Sequence, residues 1–128
     1  MAYNILIVDD SKVIRKVIAK ALDIAKIPVG QLFEAGDGKE GLEVLKQEWV
    51  DLVLVDINMP VMGGVEMVEN MAEDGLMSSV PVVIVSTEGS QTRIEDLSSK
   101  GVRAYIRKPF TPEQLKKVVG EILEETDE

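Results

Sequence analysis

Residues 52–72 read LVLVDINMPVMGGVEMVENMA. Leu52 to Val55 is the most apolar run of the chain, and it stops at an ionisable residue, Asp56. A connection punctuated by Gly63 and Gly64 leads into a stretch of helical period from Gly64 or Val65 to about Ala72. A strand that is apolar at every position is buried on both faces, the habit of a parallel sheet covered by helices. The same unit recurs on either side: Ile5 to Val8, Leu32 to Ala35, Val82 to Val85 and Ala104 to Ile106 are strand-like and alternate with helical stretches. Five such alternations predict a doubly wound (βα)₅ α/β domain.

After the first run, Val13, Ile14, Val17, Ile18, Ala21, Leu22 and Ala25 recur at helical spacing, predicting one apolar stripe packed on the sheet. Further helices are predicted over 39–48 and 91–100. A last one opens with Thr111 as N-cap and Pro112 at the first helical position. Its stripe is Leu115, Val118, Val119, Ile122 and Leu123, and its end is expected to fray into the acidic tail Glu124 to Glu128. With 128 residues and 45% hydrophobic content, one domain over 1–128 is expected, without linker or repeat beyond the βα period.

Zero cysteine excludes disulfides and thiolate chemistry, and zero histidine excludes imidazole bases and most zinc sites. Chemistry must run on carboxylates, hydroxyls and lysine. The net charge of −9 argues against nucleic acid and anionic membrane as partners. No run of about 18 apolar residues is available to span a bilayer and no signal segment is evident, so a cytoplasmic protein is expected. Charge is uneven: residues 1–89 carry a net −8, residues 90–119 a net +4, and residues 120–128 a net −5. The basic segment (Arg93, Lys100, Arg103, Arg107, Lys108, Lys116, Lys117) is either the solvated face of two helices or a dock for an acidic partner.

In an open parallel sheet, ligands bind at the carboxyl ends of the strands, where strand order reverses. Asp9 and Asp10 close the first strand, Asp56 the third and Ser86 the fourth, and Lys108 follows the fifth. Singly, Asp10 or Ser11 reads as a helix cap, Ser86 as a strand-end hydroxyl and Lys108 as a surface lysine. Together they converge on one edge. Three carboxylates there repel one another, and one lysine does not neutralise them. A hard cation with oxygen ligands fits, and Mg²⁺, or Mn²⁺ in its place, leaves coordination positions for phosphate oxygens. An aspartate beside a metal and a lysine is equipped to form an aspartyl phosphate.

Four motifs stand in order at the strand ends: VDDS at Val8–Ser11, VDINMPVMGG at Val55–Gly64, VSTE at Val85–Glu88 and YIRKPF at Tyr105–Phe110. With them the chain resembles the response-regulator receiver family over nearly its whole length, most closely the single-domain, CheY-like members. The resemblance implies a flavodoxin-like fold of strand order 2-1-3-4-5. It implies that Asp56 is the phosphoacceptor, that Asp9 and Asp10 help hold Mg²⁺ with Asp10 and Asp56 as direct carboxylate ligands, and that the Asn58 backbone carbonyl completes the protein ligands. Lys108 would pair with the phosphoryl group, Ser86 would turn toward it, and Tyr105 would move inward as Ser86 moves. The bond before Pro109 is expected to be cis. Ser86 stands where many relatives carry Thr, and Thr87 where Ala is frequent, which bears on access of water to the phosphoryl group. Asn58 and Glu88 flank that group as in chemotaxis-type members, implying rapid self-dephosphorylation.

The resemblance thus implies a stand-alone response regulator, not an enzyme acting on a separate substrate. A histidine kinase would phosphorylate it. A downstream protein, such as the flagellar motor switch, would read the surface of the fourth helix, fifth strand and fifth helix. A monomer is expected. A phosphorelay intermediate or phosphate sink would have the same site. A small Asp-nucleophile phosphohydrolase is the alternative from another class, but position 58 is Asn where a second acid is wanted and no residues remain for a cap. A flavin-binding relative would want a glycine- and hydroxyl-rich phosphate loop where Asp9 and Asp10 stand.

Overall fold

The computed structural model describes residues 2–87 and 89–126. Five strands, β1 (Tyr3–Val8), β2 (Val29–Ala35), β3 (Leu52–Val55), β4 (Val82–Ser86) and β5 (Ala104–Arg107), form one parallel sheet in the order β2-β1-β3-β4-β5. Between and after them run α1 (Lys12–Ile24), α2 (Gly38–Gln47), α3 (Gly64–Glu73), α4 (Gln91–Ser99) and α5 (Pro112–Thr126), with a 3₁₀ turn at Leu76–Ser78. This is the flavodoxin-like architecture expected. The strand-like runs were legible to within three residues, β2 beginning at Val29 rather than Leu32.

Alternation along each strand divides the core in two. Ile5, Ile7, Leu52, Leu54, Val83, Val85 and Ile106 face α1 and α5, where Ile18, Leu22, Leu115 and Val119 meet them. Leu6, Val8, Val53, Val55, Val82 and Ile84 face the other way, onto Met67, Val68 and Met71 of α3 and Leu97 of α4. The apolar runs are therefore buried on both faces, as their composition requires.

The stripe expected on α1 needs correction. Ile18, Ala21, Leu22 and Ala25 are buried, but Val13 is 70% exposed and Val17 49%. At 3.6 residues per turn the seven positions sweep about 180° of arc, against the roughly 100° a helix turns toward its core. The end of α5 also differs: the helix runs on through Thr126 instead of fraying at Glu124. The last two residues of the acidic tail, 127 and 128, lie outside the described residues. At its start, the Thr111 hydroxyl accepts the Gln114 N–H (3.1 Å) and the Gln114 side chain accepts the Thr111 N–H (2.9 Å), a complete capping box.

α4 buries only Leu97 fully. Its far end is tied to α3 by Lys100, whose ammonium meets Asp96 at 2.7 Å and Glu69 at 3.3 Å. The hydrogen bond to Asp96 raises the Lys100 pKa above its ordinary value, and Glu69 adds to this against the opposing effect of burial.

α1 ends in a Schellman motif: Ile27 N–H reaches Leu22 O (3.1 Å) and Lys26 N–H reaches Asp23 O (3.0 Å), which puts Lys26 at φ 59°. A left-handed lysine is strained by about 1 kcal/mol relative to glycine. Lys26→Gly should therefore raise stability by about 1 kcal/mol in urea denaturation. A loss would mean that the lysine side chain holds the turn.

Candidate metal centre

Sheet order turns around at β1, with β2 on one side and β3 on the other, and the residues following β1 and β3 leave the sheet there together. Val8 pairs with Val55, and the Asp56 N–H donates to the Val8 carbonyl at 3.0 Å, so Asp9 and Asp56 emerge side by side. One oxygen from each of Asp9, Asp10 and Asp56 lies within 4.8 Å of the other two. Asp9 is buried, Asp56 half-buried and Asp10 exposed.

Asp9 is held at every polar atom. Its N–H donates to Ala35 O (3.0 Å), Oδ1 accepts the Ser11 N–H (2.9 Å), Oδ2 accepts the Lys108 ammonium (2.7 Å), and its carbonyl accepts Arg15 Nη1. Both its carboxylate oxygens are thus committed to chain donors. Lys108 also stands 3.4 Å from Asp56 Oδ2, and its own N–H donates to Ser86 O at 2.9 Å. Ser11 does cap α1, accepting the Ile14 N–H at 3.2 Å.

At an effective dielectric constant of about 20, two carboxylates this close repel by of order 3 kcal/mol. Lys108 offsets part of that for Asp9 and Asp56, but Asp10 has solvent on its open side. The donor set is oxygen alone, which suits a hard cation such as Mg²⁺. Asp9 has both oxygens accepting from chain donors, whereas Asp56 has its Oδ2 3.4 Å from Lys108 and Asp10 is the exposed member of the three.

Ser86 is wholly buried at the end of β4. Val55 pairs with Ile84, so Ser86 stands one residue beyond the level of Asp56. Asn58 and Thr87 are exposed beside the site. Glu88 lies outside the described residues. Lys108–Pro109 is cis. Tyr105 is half-buried with its hydroxyl shielded from solvent. Its ring also lines a groove of about 380 Å³ with Arg107, Lys108, Pro109, Lys117 and Val118. Of the basic segment, then, Lys100 and Lys108 are spent on acids, while Arg107 and Lys117 face this groove.

Three features were not read from the sequence. A Cβ on Gly64 would sit 2.3 Å from the Asp56 carbonyl, so glycine is what lets α3 begin directly under the loop that follows β3. Gly38 at the start of α2 donates to Met62 O (2.8 Å) and fixes that loop from the other side. Arg15 reaches the Asp9 carbonyl from α1. Gly63 and Gly64 were visible as punctuation, but what Gly64 approaches is set by tertiary contact. Arg15 left only a faint signal, a cation beside the buried stripe of α1.

The family profile described as response regulator receiver domain matches residues 5–120. The chain is 34% identical over 121 residues to a chemotaxis protein CheY homolog of Campylobacter jejuni, covering 94% of this chain and 92% of that one. It is 33% identical to chemotaxis protein CheY1 of Helicobacter pylori, covering 97% and 99%. Among solved structures it is similar to the CheX-CheY-BeF3-Mg²⁺ complex from Borrelia burgdorferi, with TM-score 0.86, 27% identity, and coverage of 94% and 89%.

Removing the lysine should expose the charge problem. Lys108→Met leaves the buried Asp9 carboxylate with a single N–H, and is expected to destabilise the metal-free protein by about 3 kcal/mol. Mg²⁺ should recover more stability in this variant than in wild type. Urea denaturation with and without Mg²⁺ measures both, and an unchanged midpoint would show that the pair carries no net weight.

Proposed function

The chain belongs to the response-regulator receiver family, and from that premise we propose that it is a stand-alone regulator of a two-component system that takes a phosphoryl group from a histidine kinase onto Asp56. The observation that supports this reading is the division of labour among the carboxylates. Asp9 is sealed to Ser11, Arg15 and Lys108, whereas Asp56 keeps one face toward the open end beside Asp10.

In the proposed transfer an Asp56 oxygen attacks phosphorus, the P–O bond forms, and the bond from phosphorus to the donor nitrogen breaks. The electron pair leaves with the imidazole, which takes up a proton. Bound Mg²⁺, or Mn²⁺, would withdraw charge from the phosphoryl oxygens, held by Asp10, Asp56 and the Asn58 carbonyl with Asp9 in support. Lys108, already 3.4 Å from Asp56, would contribute a second positive charge. The Ser86 hydroxyl would then turn to a phosphoryl oxygen. Its charge-assisted hydrogen bond is worth about 1.5 to 3 kcal/mol, enough to bias two packings of the Tyr105 region by roughly tenfold to a hundredfold. The Tyr105 groove, rimmed by Arg107 and Lys117, is the surface we assign to an acidic downstream partner.

The names of the similar chains favour chemotaxis, and in that setting a flagellar motor switch would be the partner. A phosphorelay intermediate or phosphate sink would use the same residues. The protein would be a phosphoacceptor that assists its own phosphorylation and dephosphorylation, not an enzyme with a separate substrate.

Incubation with acetyl phosphate and Mg²⁺ should add one phosphoryl group, read by intact mass. Asp56→Asn should abolish the gain, and Ser86→Ala should retain it. Persistent labelling of Asp56→Asn would move the acceptor elsewhere.

A further inference from the structure

We propose that Arg15 is a positioning residue for the cation site, acting through the peptide that joins Asp9 to Asp10. The inference rests on reading the three carboxylates as a cation site. Arg15 lies on the second turn of α1, and its side chain is only 16% exposed. Its guanidinium forks: Nη1 donates to the Asp9 carbonyl, and Nε donates to Glu34 Oε1 on β2 at 2.9 Å.

The Asp9 carbonyl belongs to the peptide that leads into Asp10. Asp10 is the exposed carboxylate of the three. The orientation of that peptide therefore decides whether the Asp10 oxygen stays within 4.8 Å of those of Asp9 and Asp56. The Asp9 N–H and both its side-chain oxygens are pinned by Ala35, Ser11 and Lys108, and Arg15 supplies the remaining fixed point. Glu34 orients the guanidinium from the neighbouring strand and balances its charge, so the acidic cluster is not simply neutralised from behind. Second-layer contacts of this kind typically change metal affinity by about 10- to 100-fold when removed.

Charge alone predicts the opposite sign. Taking a cation away from three carboxylates deepens the negative potential and should tighten Mg²⁺ binding; losing the positioning contact should weaken it. Lysine at position 15 keeps the charge but has one nitrogen in place of the fork.

The test is a MgCl₂ titration of the unphosphorylated full chain, followed by the amide resonances of Asp10 and Asp56, with urea midpoints in metal-free buffer to verify folding. Arg15→Met and Arg15→Lys should each weaken Mg²⁺ binding about tenfold, and each should shift the Asp10 amide resonance before metal is added. Glu34→Gln should move affinity in the same direction by less. Combined with Arg15→Met, it should add little, since Glu34 acts through Arg15. If Arg15→Met does not fold, Arg15→Lys carries the test. Tighter or unchanged binding in Arg15→Met, or wild-type affinity in Arg15→Lys, overturns the proposal while leaving the cation site intact. A wild-type chain whose resonances ignore Mg²⁺ overturns both.

Discussion

One ion pair joins the first strand of the chain to the last: the Lys108 ammonium, just past β5, lies 2.7 Å from the carboxylate of Asp9, just past β1. The sheet order makes the meeting possible, and the charge balance makes it necessary. Parallel strands deliver their carboxyl ends to one edge, so a chain that ends β1 in two aspartates and β3 in a third gathers them without any loop having to reach. Asp9 is nearly sealed from water, and an ion so placed is tolerable only when its oxygens are all engaged. Lys108 and the Ser11 amide engage them.

That arrangement leaves Asp56, half-buried, and Asp10, exposed, on the open side of the cluster. It also joins the cluster to the region assigned to output, since the backbone of Lys108 is hydrogen-bonded to Ser86 and Tyr105 stands three residues before it on β5. α4, which buries a single side chain fully and is tied to α3 by the Lys100 fork, is the least anchored helix beside that strand. A change in what Lys108 faces has a short covalent path to this surface.

Much of this is legible in the amino-acid sequence. The both-faces-buried runs identified the sheet, and the residue closing each run identified the site, because position at a strand end determines what meets what. The width of the α1 surface was not legible: Val13 and Val17 are as apolar as Ile18, and only their angular position, at the edge of the arc that the helix turns toward the sheet, separates them. Nor was Lys26 at positive φ, where glycine would ordinarily mark the helix end. The Arg15 fork escaped because a hydrogen bond to a main-chain carbonyl leaves no pattern in side-chain type. The clearance at Gly64 escaped because what a Cβ would strike is supplied by Asp56, eight positions earlier in the chain.

Thermal melting of wild type and Asp10→Ala in metal-free and Mg²⁺ buffers checks whether the three carboxylates form a strained, cation-seeking cluster. Removing one of three like charges should raise the metal-free melting temperature by about 3 °C for a gain of about 1 kcal/mol, and should abolish the further rise that Mg²⁺ gives wild type. A wild type indifferent to Mg²⁺, or an Asp10→Ala variant that melts lower without metal, would contradict it.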